Sequence, residues 1–307
     1  MTDLRYDIIE KNIRHLKKNK NFVMEIQEML NEVTGINYHN IKVDGIYGNE
    51  TRKAIKKFKF LHYNLLNDDK LTGDVIWNLF AGMAYKPNKY DIMDLTKPHK
   101  YFEDSTLWKF GEHGIELNGF MPDFKVDKDE KILEAENMLV IHYEDVFKAS
   151  SYFRVPAELI YATFMTESYG NPKAIREEPG YISDEKTPHR VSPGIMQTLI
   201  STARVALKDN SINTKYLLVP ANSINAGTAY ISRQWYITKY DPVLVAAAYN
   251  AGRLAYQNGE NNRFKLRQYP IGTDHHCIRF IKWFNLFFKL IKTNNDIKFD
   301  CAFSNLI

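Results

Sequence analysis

The ten residues 157–166, AELIYATFMT, are apolar nearly all round and follow directly on Pro156. Proline suits the first turn of a helix, and a helix with no polar face belongs in an interior, so the larger domain of this chain must close around it. The segment delivers Glu167 at its end, then Ser168, and Gly170-Asn171-Pro172 turns the chain out of the helix. A carboxylate there is costly unless it is used or paired. Desolvation and the negative end of the helix dipole both raise its pKa, which keeps Glu167 protonated near neutral pH and able to donate to a leaving oxygen. The bland alternative is a Glu that emerges at the surface as the helix frays.

The chain has 307 residues, roughly two domains at about 150 residues each. With 44% hydrophobic and 25% charged residues it is neither collagenous, disordered nor a coiled coil. Its net charge of +4 is spread unevenly: +2 over 1–85, −5 over 86–150 and +7 over 151–307. The C-terminal half is the part that attracts an anionic polymer, either nucleic acid or carboxylate-bearing cell wall. Two cysteines, Cys277 and Cys301, exclude a disulfide framework and a multi-Cys zinc site. The start, MTDLRYDIIEKNIRHLKKNK, has no apolar stretch of signal-peptide length, and the longest apolar run is the seven residues Val243 to Tyr249. Synthesis in the cytoplasm without a Sec signal is the expectation.

Segment 22–36 places Val23, Ile26, Met29, Leu30 and Val33 at helical spacing, with Gly35 closing it. Asp44-Gly45 makes a tight turn, Gly48 a second bend, and Asn49 or Thr51 caps a helix from about Arg52. A third helix over Thr72 to Ala81 turns Val75, Ile76, Leu79 and Phe80 inward. Residues 86–128 carry prolines and aromatics without periodicity, which reads as an ordered connector or an extension of the next domain, since a disordered linker lacks so many aromatics. Helical periodicity returns over 129–149, with Ile132, Leu133, Ala135, Met138, Leu139 and Val146 on the apolar side.

Residues 22–82 resemble the peptidoglycan-binding domain of many cell-wall enzymes. Its helix, D-G-x-aromatic-G-x-x-T, helix pattern stands here as Asp44, Gly45, Tyr47, Gly48 and Thr51, followed by Ala54, Ile55 and Phe58. The resemblance implies wall contact through Asp44, Tyr47 and Thr51, although Asp44, Gly45 and Gly48 also serve simply to build the turn. The basic run Arg52, Lys53, Lys56, Lys57 and Lys59 invites a nucleic-acid reading. Those lysines are expected on the solvent face of a helix, and no nucleic-acid partner is expected.

Four ordered motifs follow: Glu167-Ser168-x-Gly-Asn-Pro, Ser192-Pro193-Gly194-Ile195-Met196-Gln197, Asn222-Ser223-Ile224-Asn225-Ala226-Gly227 and Ala247-Ala248-Tyr249-Asn250-Ala251-Gly252. Together, over about 130–290, they resemble the soluble lytic transglycosylase family, with its lysozyme-like helical domain. The stretch Ala174 to Tyr181, AIREEPGY, is similar to the version found in phage endolysins. The resemblance implies that Glu167 is the single acid/base on the bond between N-acetylmuramic acid and N-acetylglucosamine, giving a 1,6-anhydro product. It implies that the Tyr249 phenol holds Glu167 and that Ser168, Ser192, Gly194 and Gln197 meet sugar or the catalytic carboxylate. Asn250 braces the turn before Gly252 or meets sugar, and Arg176 with Glu178 pairs across the loop to shape the cleft. No second carboxylate stands in the motifs, whereas glycosidases ordinarily need a pair. Glu177, Glu178, Asp184 and Glu185 in the following loop nevertheless leave a hydrolytic muramidase open.

Where the family carries an acidic-Thr-x-x-Tyr-Val stretch, this chain has Thr273-Asp274-His275-His276-Cys277-Ile278, so the far wall of the cleft departs from the pattern. Adjacent His275, His276 and Cys277 lack further ligands at useful spacing, and neither metal nor other cofactor is expected. In 279–292, Arg279, Lys282, Asn285, Leu286, Lys289 and Lys292 fall on one side of a helix: the last core helix by default, an outer-membrane-perturbing helix in the sharper reading. The expectation is a mainly α chain: a small three-helix peptidoglycan-binding domain in 1–85, a connector in 86–128, and a lysozyme-like catalytic domain in 129–307. Its implied partners are glycan strands and peptide stems, its expected form a monomer, and its implied role that of a phage endolysin made in the host cytoplasm and acting on the periplasmic wall. A bacterial wall-remodelling enzyme and a non-catalytic wall-binding virion protein stand as alternatives.

Overall fold

Lys20–Val33 forms helix α1 and Asn49–Tyr63 helix α2, so α2 starts ahead of the Arg52 expected from sequence. The computed structural model describes residues 13–33, 41–63, 69–72, 75–76, 79 and 94–305, in two compact units, Met1–Lys86 and Pro87–Ile307. In the first unit Ile26, Met29, Leu30, Ile55, Phe58 and Leu71 pack with Val75, Ile76 and Leu79. Gly35, Phe80 and most of the third expected helix lie outside the described residues. Lys59 is buried rather than on the solvent face, while Arg52, Lys53 and Lys56 are exposed as expected.

What organises this unit is Gln27, which is 2% exposed. Its Oε1 accepts the backbone N–H groups of Asp44 (3.0 Å) and Gly45 (2.8 Å), and its Nε2 donates to Asp44 Oδ1 (2.9 Å) and Thr51 Oγ1 (3.0 Å). Thr51 in turn donates to the Ile46 carbonyl at 3.0 Å. The hydrogen bond from Gln27, and then that from Ile46 N–H, hold the Asp44 carboxyl below its usual range. Asp44 and Thr51 therefore close the turn onto α1, the turn-building use that the sequence also allowed for Asp44. Tyr47 is half-buried, accepts the Leu71 N–H at 3.3 Å and lies under Lys17 and Arg52. Replacing Gln27 by Leu strands two backbone donors at the turn and will cost about 2–4 kcal/mol; a lowered melting transition of the first unit checks it.

The second unit begins with a hairpin, β1 (Trp108–Gly111) and β2 (Gly114–Leu117). The expected 129–149 helix is broken at His142 into α3 (Lys128–Ile141) and α4 (Tyr143–Phe153). His142 leaves helical geometry at φ −107° and is buried with its ring 5.6 Å from that of Phe164, while Leu133, expected inward, is exposed. Helix α5 (Ala157–Ser168) follows, buried from Ala157 to Thr166. Burial along it includes Glu158, a carboxylate inside the apolar run, whose Oε2 accepts the Phe303 N–H at 2.9 Å. Strands β3 (Ile175–Glu177) and β4 (Val191–Pro193) pair antiparallel, and α6 (Ile200–Leu207), α7 (Thr214–Leu217), α8 (Pro220–Arg233), α9 (Trp235–Thr238), α10 (Pro242–Ala251) and α11 (His275–Thr293) complete the unit.

Helix α11 lies along α5, with Tyr161 stacked on Phe287 at 4.8 Å, and it buries Phe280, Ile281, Trp283, Phe284, Phe288 and Ile291. Its apolar face is thus consumed by the core, and a helix with no free apolar face has nothing to insert into an outer membrane. Asn285, assigned by spacing to the basic side, is 5% exposed: its Oδ1 accepts the Ile115 N–H (2.7 Å) and its Nδ2 donates to the Ile115 and Pro122 carbonyls. With Phe110 packed against Phe284, Phe288 and Phe303, residues 94–126 are an integral part of the second unit.

Candidate active site

Glu167 stands in the last turn of α5, with 18% of its side chain exposed. Tyr169 and Gly170 end the helix in left-handed conformations, φ 59° and 74°, as the Gly-Asn-Pro sequence requires. Burial raises the Glu167 pKa to about 7, against the opposing pull of Arg279 and then Arg176. The carboxyl consequently holds its proton close to neutrality, the condition for a general acid.

Tyr249 does not hold this carboxyl. Its hydroxyl donates to the Met196 carbonyl at 2.9 Å and pairs with Thr198 Oγ1 at 2.8 Å; it is close enough to Glu167 only to feel its charge. Having a single proton, the phenol spends it on the backbone of the second motif. Gly227 of the third motif makes room for that arrangement, since a Cβ there would stand 2.4 Å from the Met196 methyl and 2.9 Å from the Tyr249 oxygen. At Gly194, φ is +85° and a Cβ would sit 1.9 Å from the Leu217 carbonyl oxygen. Gly227 lets the third motif approach the second and fourth, and Gly194 lets the second approach α7 and Ser223 of the third.

Ser168 donates to the Ile195 carbonyl at 2.6 Å, and Gln197 donates to the carbonyls of Ala174 (3.0 Å) and Gly194 (2.8 Å). Ser192, 6% exposed, lies 3.5 Å from Gln197 Oε1. These side chains fasten the second motif to α5 and to β3, and none of them bonds Glu167 among the described residues. Arg176 and Glu178 do pair, at 3.0 Å, on the exposed face of the loop.

The residue that faces Glu167 is His276, in the first turn of α11, 3% exposed and with Nε2 3.6 Å from Glu167 Oε1. Burial, helped by the charge of Arg279, lowers its pKa to about 3, so the ring is neutral. Asn250 lies behind it: Oδ1 accepts the Tyr269 N–H at 2.6 Å, which turns Nδ2 toward His276 Nδ1 at 3.3 Å. Asn250 braces a loop, as its motif position allowed, but the loop is the one before α11. Sequence reading passed over His276 except as part of a metal set, and among the described residues no group of three or more His, Cys, Asp or Glu can hold a metal ion.

An open cleft of about 870 Å³ lies beside this centre, lined by Phe120, Phe124, Arg263, Asp274, Arg279 and Lys282 among others. That size is at the upper end of ligand pockets, about 300–1,000 Å³. Glu167 is not in its lining. Arg279 links the two, lining the cleft while its charge acts on Glu167. One wall of this cleft comes from the 94–126 segment, through Thr106, Leu117, Asn118, Phe120 and Phe124.

A buried helix thus presents one proton-holding carboxyl near an open, aromatic-lined cleft, the arrangement of an enzyme domain that works by general acid chemistry. More narrowly, residues 144–271 match the family model described as the Transglycosylase SLT domain, and residues 19–72 that of a Putative peptidoglycan binding domain. The chain thus carries a Transglycosylase SLT domain C-terminal in sequence to a putative peptidoglycan-binding domain. Among solved structures it is similar to an inactive mutant of the lytic transglycosylase Slt from Pseudomonas aeruginosa, at 14% identity and a TM-score of 0.35, covering 84% of this chain and 36% of that one. It is also similar to the 70 kDa soluble lytic transglycosylase from Escherichia coli, at 18% identity and a TM-score of 0.28, covering 81% of this chain and 38% of that one. The chain spans little more than a third of the length of either. No curated protein matches it.

Proposed function

We propose that this chain cleaves the β-1,4 bond between N-acetylmuramic acid and N-acetylglucosamine in peptidoglycan, with Glu167 as the single acid/base, leaving a 1,6-anhydro end. We propose further that it does so as a phage endolysin on the periplasmic wall. The observation that carries the chemistry is one half-buried carboxyl whose pKa of about 7 suits both directions of proton transfer, with no second carboxylate paired to it among the described residues. Protonated Glu167 gives its proton to the glycosidic oxygen as the C1–O bond breaks. The resulting carboxylate takes the proton of the muramyl C6 hydroxyl as that oxygen bonds C1, and the acid is regenerated. The substrate's 2-acetamido group stabilises the charge that develops on C1.

Two of the loop carboxylates offered as a hydrolytic base already have partners. Asp184 accepts from Thr214 N–H (2.7 Å) and Tyr181 hydroxyl (2.8 Å), and Glu178 is paired with Arg176. With Arg263 paired to Asp274, Arg279 and Lys282 outnumber Glu260 in the cleft lining and leave it a small positive excess that favours the carboxylates of peptide stems, and a wall-binding module in the same chain raises the local concentration of enzyme on an insoluble polymer. Mass spectrometry of digested sacculi tests the reaction: anhydro ends are expected throughout, and reducing ends would make the enzyme a muramidase. The endolysin role is tested by production inside a Gram-negative host with a membrane-permeabilising partner, where rapid lysis dependent on Glu167 is expected; unchanged turbidity would overturn it.

A further inference from the structure

We propose that His276 is a positioning residue for Glu167, a neutral imidazole clamped by Asn250 so that its Nε2–H points at the carboxyl and bonds it once the proton has been given away. The inference rests on the acid/base reading of Glu167 and deepens it. Three observations carry it. The Tyr269 backbone N–H can only donate, so at 2.6 Å it fixes Asn250 with Oδ1 toward Tyr269 and Nδ2 toward the ring. A donor 3.3 Å from Nδ1 requires a lone pair there, which places the ring proton on Nε2. Nε2 then stands 3.6 Å from Glu167 Oε1, too long for a bond to a neutral carboxyl and short enough to close when that oxygen becomes an anion.

The consequence is a contact that strengthens with the charge state of the acid. Before proton transfer the Nε2–H contributes little. After it, the hydrogen bond stabilises the carboxylate and holds the oxygen in place for the returning C6 proton. His276 keeps its own proton throughout, so the proton count of the reaction is unchanged. Among the described residues, the charged or titratable groups coupled to the pair are Tyr249 on α10, Arg279 on α11 and Arg176 on β3. Both arginines already favour the anion. What the imidazole adds is direction, which a guanidinium acting from farther off does not supply.

The test compares His276→Leu, which fills the space without a donor, with His276→Gln, whose amide nitrogen falls near the position of Nε2. A hydrogen bond to the charged form lowers a carboxyl pKa, so the Leu variant should shift the Glu167 titration, followed by carbon-13 carboxyl NMR, to higher pH by about one unit. Its kcat on purified sacculi should fall about tenfold with little change in KM, as for the loss of a positioned general acid–base group. The Gln variant should restore both the titration and the rate to within about threefold. Equal titrations and rates in the two variants, with both folded by circular dichroism, would overturn the proposal. Failure of the underlying reading looks different: full activity in Glu167→Gln would remove the acid itself, whatever His276 does.

Discussion

Glu167→Gln will lower sacculus cleavage by at least about a thousandfold and will also make the second unit harder to unfold in alkaline solution. The first effect follows from removing the group that gives and takes the proton in the proposed mechanism while keeping the shape of the side chain. The second follows from linkage. The Glu167 pKa is raised from 4.5 to about 7, so between those values the folded protein binds a proton that the unfolded chain has released. Stability therefore falls as pH rises through that window and stays reduced above it. A shift of that size corresponds to about 3 kcal/mol, and with 18% of the side chain exposed we expect about 2 kcal/mol. Gln carries no such burden: at pH 8 its melting temperature should exceed that of the parent by several degrees, and below pH 4.5 the two should coincide. The acid limb set by His276 has the opposite sign, since its depressed pKa costs stability as pH falls below 6.5, and it should survive the substitution. Parallel melting profiles across the whole range would mean that Glu167 has an ordinary pKa, and the acid role would fall with it.

The apolar run before Glu167 was legible because nothing in it except Glu158 resists burial, and the acid's position at its end follows from the Gly-Asn-Pro that stops the helix. The motifs were legible as motifs, but the bonds that their side chains make to neighbouring backbone were not. Periodicity cannot show this. Ser168, Gln197 and Tyr249 each carry a donor that either a sugar or a neighbouring carbonyl satisfies, and only the fold puts Ile195, Ala174 and Met196 within reach. Gln27 and Asn285 were missed for the same reason: a polar residue on a helix is ordinarily solvated, and what turns these two inward is a partner far away in sequence. His276 lies in the stretch that departs from the family pattern, so the resemblance had nothing to say about it. The local signal that was present and unused is Asp241-Pro242, a cap followed by proline, which marks the start of α10 without any reference to its neighbours.

Asp241→Asn tests how the 94–126 segment is held, and we expect it to cost about 3 kcal/mol. Asp241 is 2% exposed; its Oδ1 caps α10 through Val243 N–H (2.9 Å) and Leu244 N–H (3.4 Å). Its Oδ2 accepts from Trp108 Nε1 at 2.8 Å and from His99 Nε2 at 2.7 Å, both in the segment before the catalytic motifs. Burial alone would lower the His99 pKa, but the hydrogen bond and charge of Asp241, with the Lys97 carbonyl, outweigh it and leave it raised. An amide in place of the carboxylate keeps one oxygen for the cap and turns an NH₂ toward two donors, so the capped helix survives while the hairpin loses its anchor. The His99 contribution is present below pH 6.5 and is lost as pH rises through its raised folded value. The deficit of the variant should thus be greatest in mildly acidic solution and shrink, without vanishing, at alkaline pH where only the indole donor is left unpaired. Because the segment supplies Phe120 and Phe124 to the cleft wall, the variant should also lose affinity for sacculi while an unbound Glu167 titrates as before. A hydrogen-exchange profile in which 108–117 stays as protected as in the parent would show that the apolar contacts of Phe110 hold the hairpin by themselves.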